Sequence, residues 1–158
     1  MLKENEIKLL ADVRAFPGSK RYPQFNKEAL AKSLNAHGIR YEHFPELGGK
    51  RKSVPDSRNA AWRNASFRGY ADYMETKQFQ KGIEHLLDIT AEAGPTAIMC
   101  AEAVWWRCHR SLIADYLKAC GREVLHVLGA NKVEPHPYTS AARIVNGKLS
   151  YEANDALL

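Results

Sequence analysis

The sequence predicts an α/β fold in three layers: a mainly parallel sheet of about four strands flanked by helices, followed by a small C-terminal hairpin. Three observations carry this. Strand-like apolar runs alternate along the chain with segments of helical periodicity. Thr96-Ala97-Ile98-Met99-Cys100 is an unbroken apolar run, as in strands covered on both faces. Asn146-Gly147, the dipeptide favoured in type I′ turns, separates two short β-like segments. A length of 158 residues suits one domain spanning 1–158.

Each element has a local reason. Ile7 to Arg14 reads as a buried strand running out into charge, and Phe16-Pro17-Gly18 breaks it. Asn26 suits the N-cap of a helix from Lys27 to His37, with Leu30 and Leu34 on one face and Gly38 at the C′ position. Ile39 to Phe44 alternates as a second strand; Pro45 stops it and Leu47-Gly48-Gly49 must turn. Residues 50–66 are polar and aperiodic, a stretch expected to be functional or disordered. Phe67 to Met74 reads as a short helix. Thr76 can cap a longer one with Phe79, Ile83, Leu86, Leu87 and Thr90 at core spacing, ended by Gly94-Pro95. A helix from about Arg107 to Cys120 turns Leu112, Ile113, Tyr116, Leu117 and Cys120 inward, with Gly121 as its stop. Glu123 to Leu128 is the fourth strand. Arg143 to Val145 and Lys148 to Tyr151 form the hairpin.

Composition narrows the class. The hydrophobic fraction of 45% supports a real core and excludes a disordered chain. No apolar run reaches about eighteen residues, so a membrane-spanning helix is excluded, and the first residues lack the apolar stretch of a signal peptide. Three cysteines, an odd and low number, argue against a secreted disulfide framework. The expectation is a cytoplasmic protein with reduced thiols and no membrane partner. Lys50, Arg51, Lys52, Arg58, Arg63 and Arg68 stand against Asp56 alone, so this segment carries the whole net charge of +5. Concentrated positive charge attracts phosphates and other anions, although a solvated basic loop has the same composition.

Parallel strands that feed helices all end at one edge of the sheet, and ligands of open α/β sheets bind there. The ends in question are Asp12 and Arg14, Glu46-Leu47-Gly48-Gly49, and Cys100 with Glu102. Architecture, rather than residue type, predicts that they converge.

The chain carries Ala11-Asp12-Val13-Arg14-Ala15-Phe16-Pro17, Tyr22-Pro23-Gln24-Phe25-Asn26, Pro45-Glu46-Leu47-Gly48-Gly49 and Phe67-Arg68-Gly69-Tyr70-Ala71-Asp72-Tyr73-Met74. It also carries Met99-Cys100-Ala101-Glu102 and Arg107-Cys108-His109-Arg110-Ser111-Leu112-Ile113-Ala114. Over nearly its whole length it resembles the bacterial and archaeal domain of unknown function 488 family. The resemblance implies a compact α/β domain of unassigned biochemistry. Members often begin with a further strand resembling Thr-Ile-Gly-His-Ser and a helix, of which Met1 to Glu6 looks like the tail. The bare sheet edge or apolar face this implies is one that a homodimer would cover. Val104-Trp105 stands where an acidic residue and proline are common.

Cys100, at a strand end before a helix, is the sharpest chemical candidate. The helix N-terminus with Arg107 and Arg110 would favour its thiolate, as nucleophile or redox thiol, and Glu102 or His109 would move protons. The competing reading is a small buried hydrophobe. The layout resembles in outline the cysteine-to-arginine loop of phosphatases and sulfurtransferases. However, six residues separate Cys100 from Arg107 and none is glycine, so the backbone has no freedom to curl around an anion.

Other candidates share these residues. Cys100, Cys108 and His109 are metal-ligand types, with His43 or His136 as remote completions, but there is no C-x-x-C pattern. Neighbouring Cys108 and His109 should point apart on a helix. A structural role is also open: Arg110 pairing with Asp12 or Glu102, or Glu102 with Arg14, would pin the edge without chemistry.

Nucleic acid is the rival partner, with Trp62, Phe67, Tyr70 and Tyr73 near the basic loop and Trp105-Trp106 as stacking surfaces. Trp106 otherwise reads as core and Trp105 as an oligomer contact. The preferred reading is a pocket for a phosphate-containing small molecule, held by Asp12, Arg14, Gly48, Gly49, Tyr70, Arg107 and Arg110 under a basic lid of residues 50–66. Catalysis would fall to Cys100, Glu102 and His109. No cofactor is specified. The alternatives are a nucleic-acid- or nucleotide-binding module without catalysis, a metal-binding protein, and a structural or partner-binding protein.

Overall fold

The computed structural model describes residues 1–153. The chain divides into two compact units, one of residues 1–49 and 77–101 and the other of residues 50–76 and 102–158.

The first unit holds a parallel sheet of β1 (Leu9–Asp12), β2 (Arg40–His43) and β3 (Thr96–Met99), in the order β2-β1-β3. Asp12 is opposite His43 on one side and Met99 on the other, so all three strands end level at one edge, as parallel connection requires. Residues 9–14 are all buried, as a central strand between two layers should be. Side chains alternate between faces. On one face Leu10, Tyr41, Ala97 and Met99 pack with Leu30 and Leu34 of helix α1 (Lys27–Ala36). The other face belongs to a 17-residue helix over Lys77–Ala93, whose His85 meets Glu42 and Phe44. Gly82 lets that helix approach the turn at Leu47; a Cβ there would stand 2.9 Å from the Leu47 side chain. Gly38, at φ +74°, ends α1 as expected.

The second unit begins with residues 50–64, which run onto helix α2 (Ala65–Tyr73); the Lys77–Ala93 helix of the first unit is α3. Asn64 caps α2 by accepting from the N–H groups of Ser66 and Phe67. Residues 105–107 form a single 3₁₀ turn, and α4 (Arg110–Ala119) follows. β4 (Leu125–Gly129) and β5 (Lys132–Pro135) form one antiparallel hairpin, and β6 (Arg143–Val145) and β7 (Lys148–Ser150) another. In the second hairpin Asn146 and Gly147 take φ of +51° and +76°, the type I′ signature.

Several expectations change. The segment expected as a fourth parallel strand is β4, which pairs with β5, so the parallel sheet has three strands. Its apolar residues met the pattern for a strand, but pattern does not choose a partner. Met1 to Glu6 forms turns instead of a helical tail. The helix expected from Arg107 begins at Arg110, because Arg107 belongs to the 3₁₀ turn and Cys108 is extended. Cys120, expected in the core, is exposed because α4 ends at Ala119. Trp106, expected in the core, is 53% exposed, and Trp105, expected as an oligomer contact, stacks on His126 inside the second unit.

Candidate functional site

Each unit brings part of the expected set together. In the first, Asp12 is fully buried at the end of β1 and accepts three hydrogen bonds from Arg14: backbone N–H at 3.1 Å, Nε at 2.9 Å and Nη2 at 2.7 Å. Tyr41, opposite Leu10 and on the same face, donates its hydroxyl to Oδ2, the oxygen that also accepts from Arg14 Nη2. Burial pushes the Asp12 carboxyl up, but the hydrogen bonds from Arg14 and Tyr41 outweigh it and hold Asp12 below the ordinary carboxylate range. The same pairing raises Arg14, and burial beside Asp12 raises Tyr41. Asp12 therefore takes Arg14, two residues further along the chain, as its ion-pair partner. His43 donates from Nε2 to the Arg14 carbonyl at 2.7 Å.

Gly48 fits tightly against this strand end: a Cβ would lie 3.0 Å from the Ala15 Cα. Cys100 follows Met99, whose carbonyl accepts from the Val13 N–H, so the thiol-bearing residue leaves the sheet alongside Val13 and Arg14. Asp12, Arg14, Gly48, Gly49 and Cys100 thus all belong to the first unit.

Tyr70, Glu102, Arg107, Cys108, His109 and Arg110 belong to the second. Cys108 is only 3% exposed. Its sulfur accepts from the backbone N–H and the Nε of Arg110, both at 3.4 Å, and lies 3.5 Å from His109 Nδ1. Cys108 and His109 precede α4, so they escape the helical divergence expected of neighbours and face one another. Arg110 reaches back to the Glu102 carbonyl, which fixes the 102–110 loop through the backbone and not through the Glu102 carboxylate. Glu102 and Arg107 are exposed. The His109 ring leans on buried Tyr70 at 5.0 Å.

The basic segment is latched down. Asp72 of α2 accepts from Val54 N, Ser57 Oγ and Asn59 Nδ2. Burial opposes the charged form of Asp72, but these bonds and nearby Arg68 leave its pKa lowered. Gly69 has no side chain because the backbone of residues 51–53 lies directly on it. The Arg51 guanidinium sits 3.7 Å from the centre of the Tyr73 ring, Arg58 pairs with Glu75, and Arg68 donates to the Trp62 carbonyl. Trp62 packs between Phe67 and Tyr151. Arg51, Arg58, Arg68 and the nearest stacking surface are therefore engaged within the unit.

A further cluster escaped sequence reading. Asp115, on the buried face of α4, accepts from His136 Nε2 at 2.8 Å, from the N–H and Oγ1 of Thr139, and from the Tyr151 hydroxyl. His136 Nδ1 lies 2.7 Å from His126 Nε2. The His126 ring stacks on Trp105, with centroids 4.1 Å apart and planes 4° from parallel. Asp115 offered the available signal: a carboxylate spaced three residues after Leu112, on the apolar stripe of a helix.

The family model described as Domain of unknown function DUF488 matches residues 1–117. The chain belongs to the DUF488 family. No curated protein and no solved structure matches it. The DUF488 match takes in the Asp12–Arg14 pair and the Cys108–Arg110 turn, and it ends before His126, His136 and Tyr151, so it is shorter than the near-complete span the motifs implied. Among the described residues no helix is long and apolar enough to cross a membrane.

Proposed function

We propose that this DUF488 chain binds an anionic, phosphate-bearing ligand through a thiolate-centred site at the start of α4. The observation that supports this is the pair of Arg110 donors directed at the Cys108 sulfur. Hydrogen bonds to sulfur from a cationic residue at a helix start favour the thiolate over the thiol. The thiolate role expected of Cys100 is proposed here for Cys108, whose sulfur carries these two donors. Exposed Arg107 supplies further charge for an anion, while Arg14 is committed to Asp12. The engaged arginines of residues 50–68 favour a small anion over a nucleic-acid polymer.

The test is the rate of iodoacetamide alkylation against pH for two variants, each retaining one of Cys108 and Cys100 with the other two cysteines changed to serine. The expected result is a Cys108 rate that levels off below the ordinary thiol range of about 8.5 and falls in the presence of inorganic phosphate or a nucleoside monophosphate. A Cys108 rate that follows an ordinary thiol, with no protection, overturns the proposal.

A metal-binding reading starts from the same atoms. A sulfur and an imidazole nitrogen 3.5 Å apart match two donors on one tetrahedral zinc, whose bond lengths of about 2.3 and 2.0 Å imply about that separation. Elemental analysis of untagged protein separates the two readings, since stoichiometric zinc that blocks alkylation until chelated favours the metal.

A further inference from the structure

The second unit contains a hydrogen-bonded chain that the thiol chemistry does not use. It runs from the fully buried Asp115 carboxylate through fully buried His136 to part-buried His126. Hydrogen-bonding rules assign its protons. Asp115 accepts from Thr139 N–H and Oγ1 and from Tyr151, so the 2.8 Å contact with His136 is donated by His136 Nε2–H. A neutral His136 then has a lone pair on Nδ1, and the 2.7 Å contact there is donated by His126 Nε2–H. That leaves the lone pair of His126 on Nδ1, the outer end of the chain. Stacking on Trp105 fixes the plane in which this lone pair is presented.

We propose that Asp115, His136 and His126 form a proton relay whose outer atom, His126 Nδ1, is a general base toward a water or ligand hydroxyl. The step balances without any further reactant. The O–H gives its proton to His126 Nδ1. His126 Nε2–H passes its proton to His136 Nδ1, and His136 becomes an imidazolium whose Nε2–H faces Asp115. The oxygen leaves as hydroxide or alkoxide equivalent, and the positive charge comes to rest beside the buried carboxylate instead of at the working end.

Surrounding charge supports that direction of transfer. Burial comes first, and the neighbouring His136 and the Arg110 guanidinium add to it; all oppose charge on the His126 ring and hold it down at about 4. Lys118 donates to the His136 carbonyl, Glu134 is the cross-strand partner of His126, and Tyr151 donates to Asp115. Asp115 is thus the carboxylate that faces His136 directly. Arg110 also serves the Cys108 turn, so a ligand oxyanion attracted there would approach the same end of the relay.

The relay is tested on the wild-type chain, labelled with ¹⁵N-histidine, by two-bond proton–nitrogen correlation from pH 8 to pH 5. Variants His126→Gln and His136→Gln supply the assignments. Both rings are expected as Nε2–H tautomers at the alkaline end, and His126 is expected to stay neutral over this range. Carbethoxylation by diethylpyrocarbonate is expected at His126 Nδ1 and about tenfold slower in His136→Gln, which cannot receive the second proton. A merely structural Asp–His pair would leave that rate unchanged. A proton found on His126 Nδ1 in the wild type, or equal rates in the two proteins, overturns the relay. The tautomers are read on the wild type, with the variants used only to assign its signals, and neither readout depends on Cys108.

Discussion

Arg14, two residues past the end of β1, folds back to place Nε and Nη2 on the two carboxylate oxygens of Asp12, at 2.9 and 2.7 Å. The pair lies at the end of β1, where the three parallel strands finish level. It neutralises the strand end that charge alone would mark as an anion site. Arg14 is 7% exposed, so the pair is buried and each partner depends on the other.

Asp12→Asn should therefore destabilise the chain by about 3–5 kcal/mol, because it strands a buried guanidinium and weakens the partner of Tyr41. Replacing both residues with apolar ones of similar size should cost much less. Urea denaturation of the single and double variants measures the difference. The lowered pKa of Asp12 adds a pH dependence of known sign. Its stabilisation is present above the ordinary carboxyl value near 3.8 and is lost as pH falls through the lower folded value. Acid denaturation of Asp12→Asn should lack that component.

Gly69→Ala should cost about 1–3 kcal/mol. The new methyl group would fall on the Arg51 carbonyl and 2.7 Å from Ser53 N, which are backbone atoms with little freedom to yield. The control is Gly18→Ala, where nothing lies within 4 Å. Denaturation midpoints of the two variants should differ in that order.

Asp72→Asn should loosen the basic segment without unfolding the chain. Asp72 accepts from three groups of residues 54–59, and an amide keeps one acceptor oxygen in place of two. Limited tryptic digestion should cut first at Arg51, Lys52 or Arg58, at least several-fold faster than in the wild type. An unchanged digestion pattern would show that the latch lies elsewhere.

His126 should make the chain less stable in mild acid. Its folded pKa of about 4 lies below the ordinary 6.5, so the unfolded chain binds more protons between those values. Stability is complete above pH 6.5 and declines toward pH 4, by on the order of 1 kcal/mol once the partial exposure of the ring is allowed for. His126→Gln should flatten that decline in denaturation midpoints measured at pH 7, 6 and 5.

Much of the fold was legible because its signals are local. Leu30 and Leu34 mark the buried stripe of α1, Gly38 its end, and Asn146-Gly147 the last turn. Phe79, Ile83 and Leu86 mark the inner face of α3, although Ile89 is buried where Leu87 and Thr90 were expected to be. Sequence alone also placed the ends of β1, β2 and β3 at one edge, since parallel strands joined by crossovers must run the same way.

The partners of those residues were decided only in three dimensions. Nothing in the spacing tells Asp12 to choose Arg14, or the β4 segment to pair with β5. Trp105 stacks inward while Trp106 stays exposed because of a single 3₁₀ turn. The Asp115–His136–His126 chain joins residues 10 and 21 positions apart, and its members carry no shared motif. Helices, turns and strand direction follow from short-range sterics and periodicity. Hydrogen-bond partners and proton positions follow from which groups packing shuts away from water together, and only the folded chain settles that.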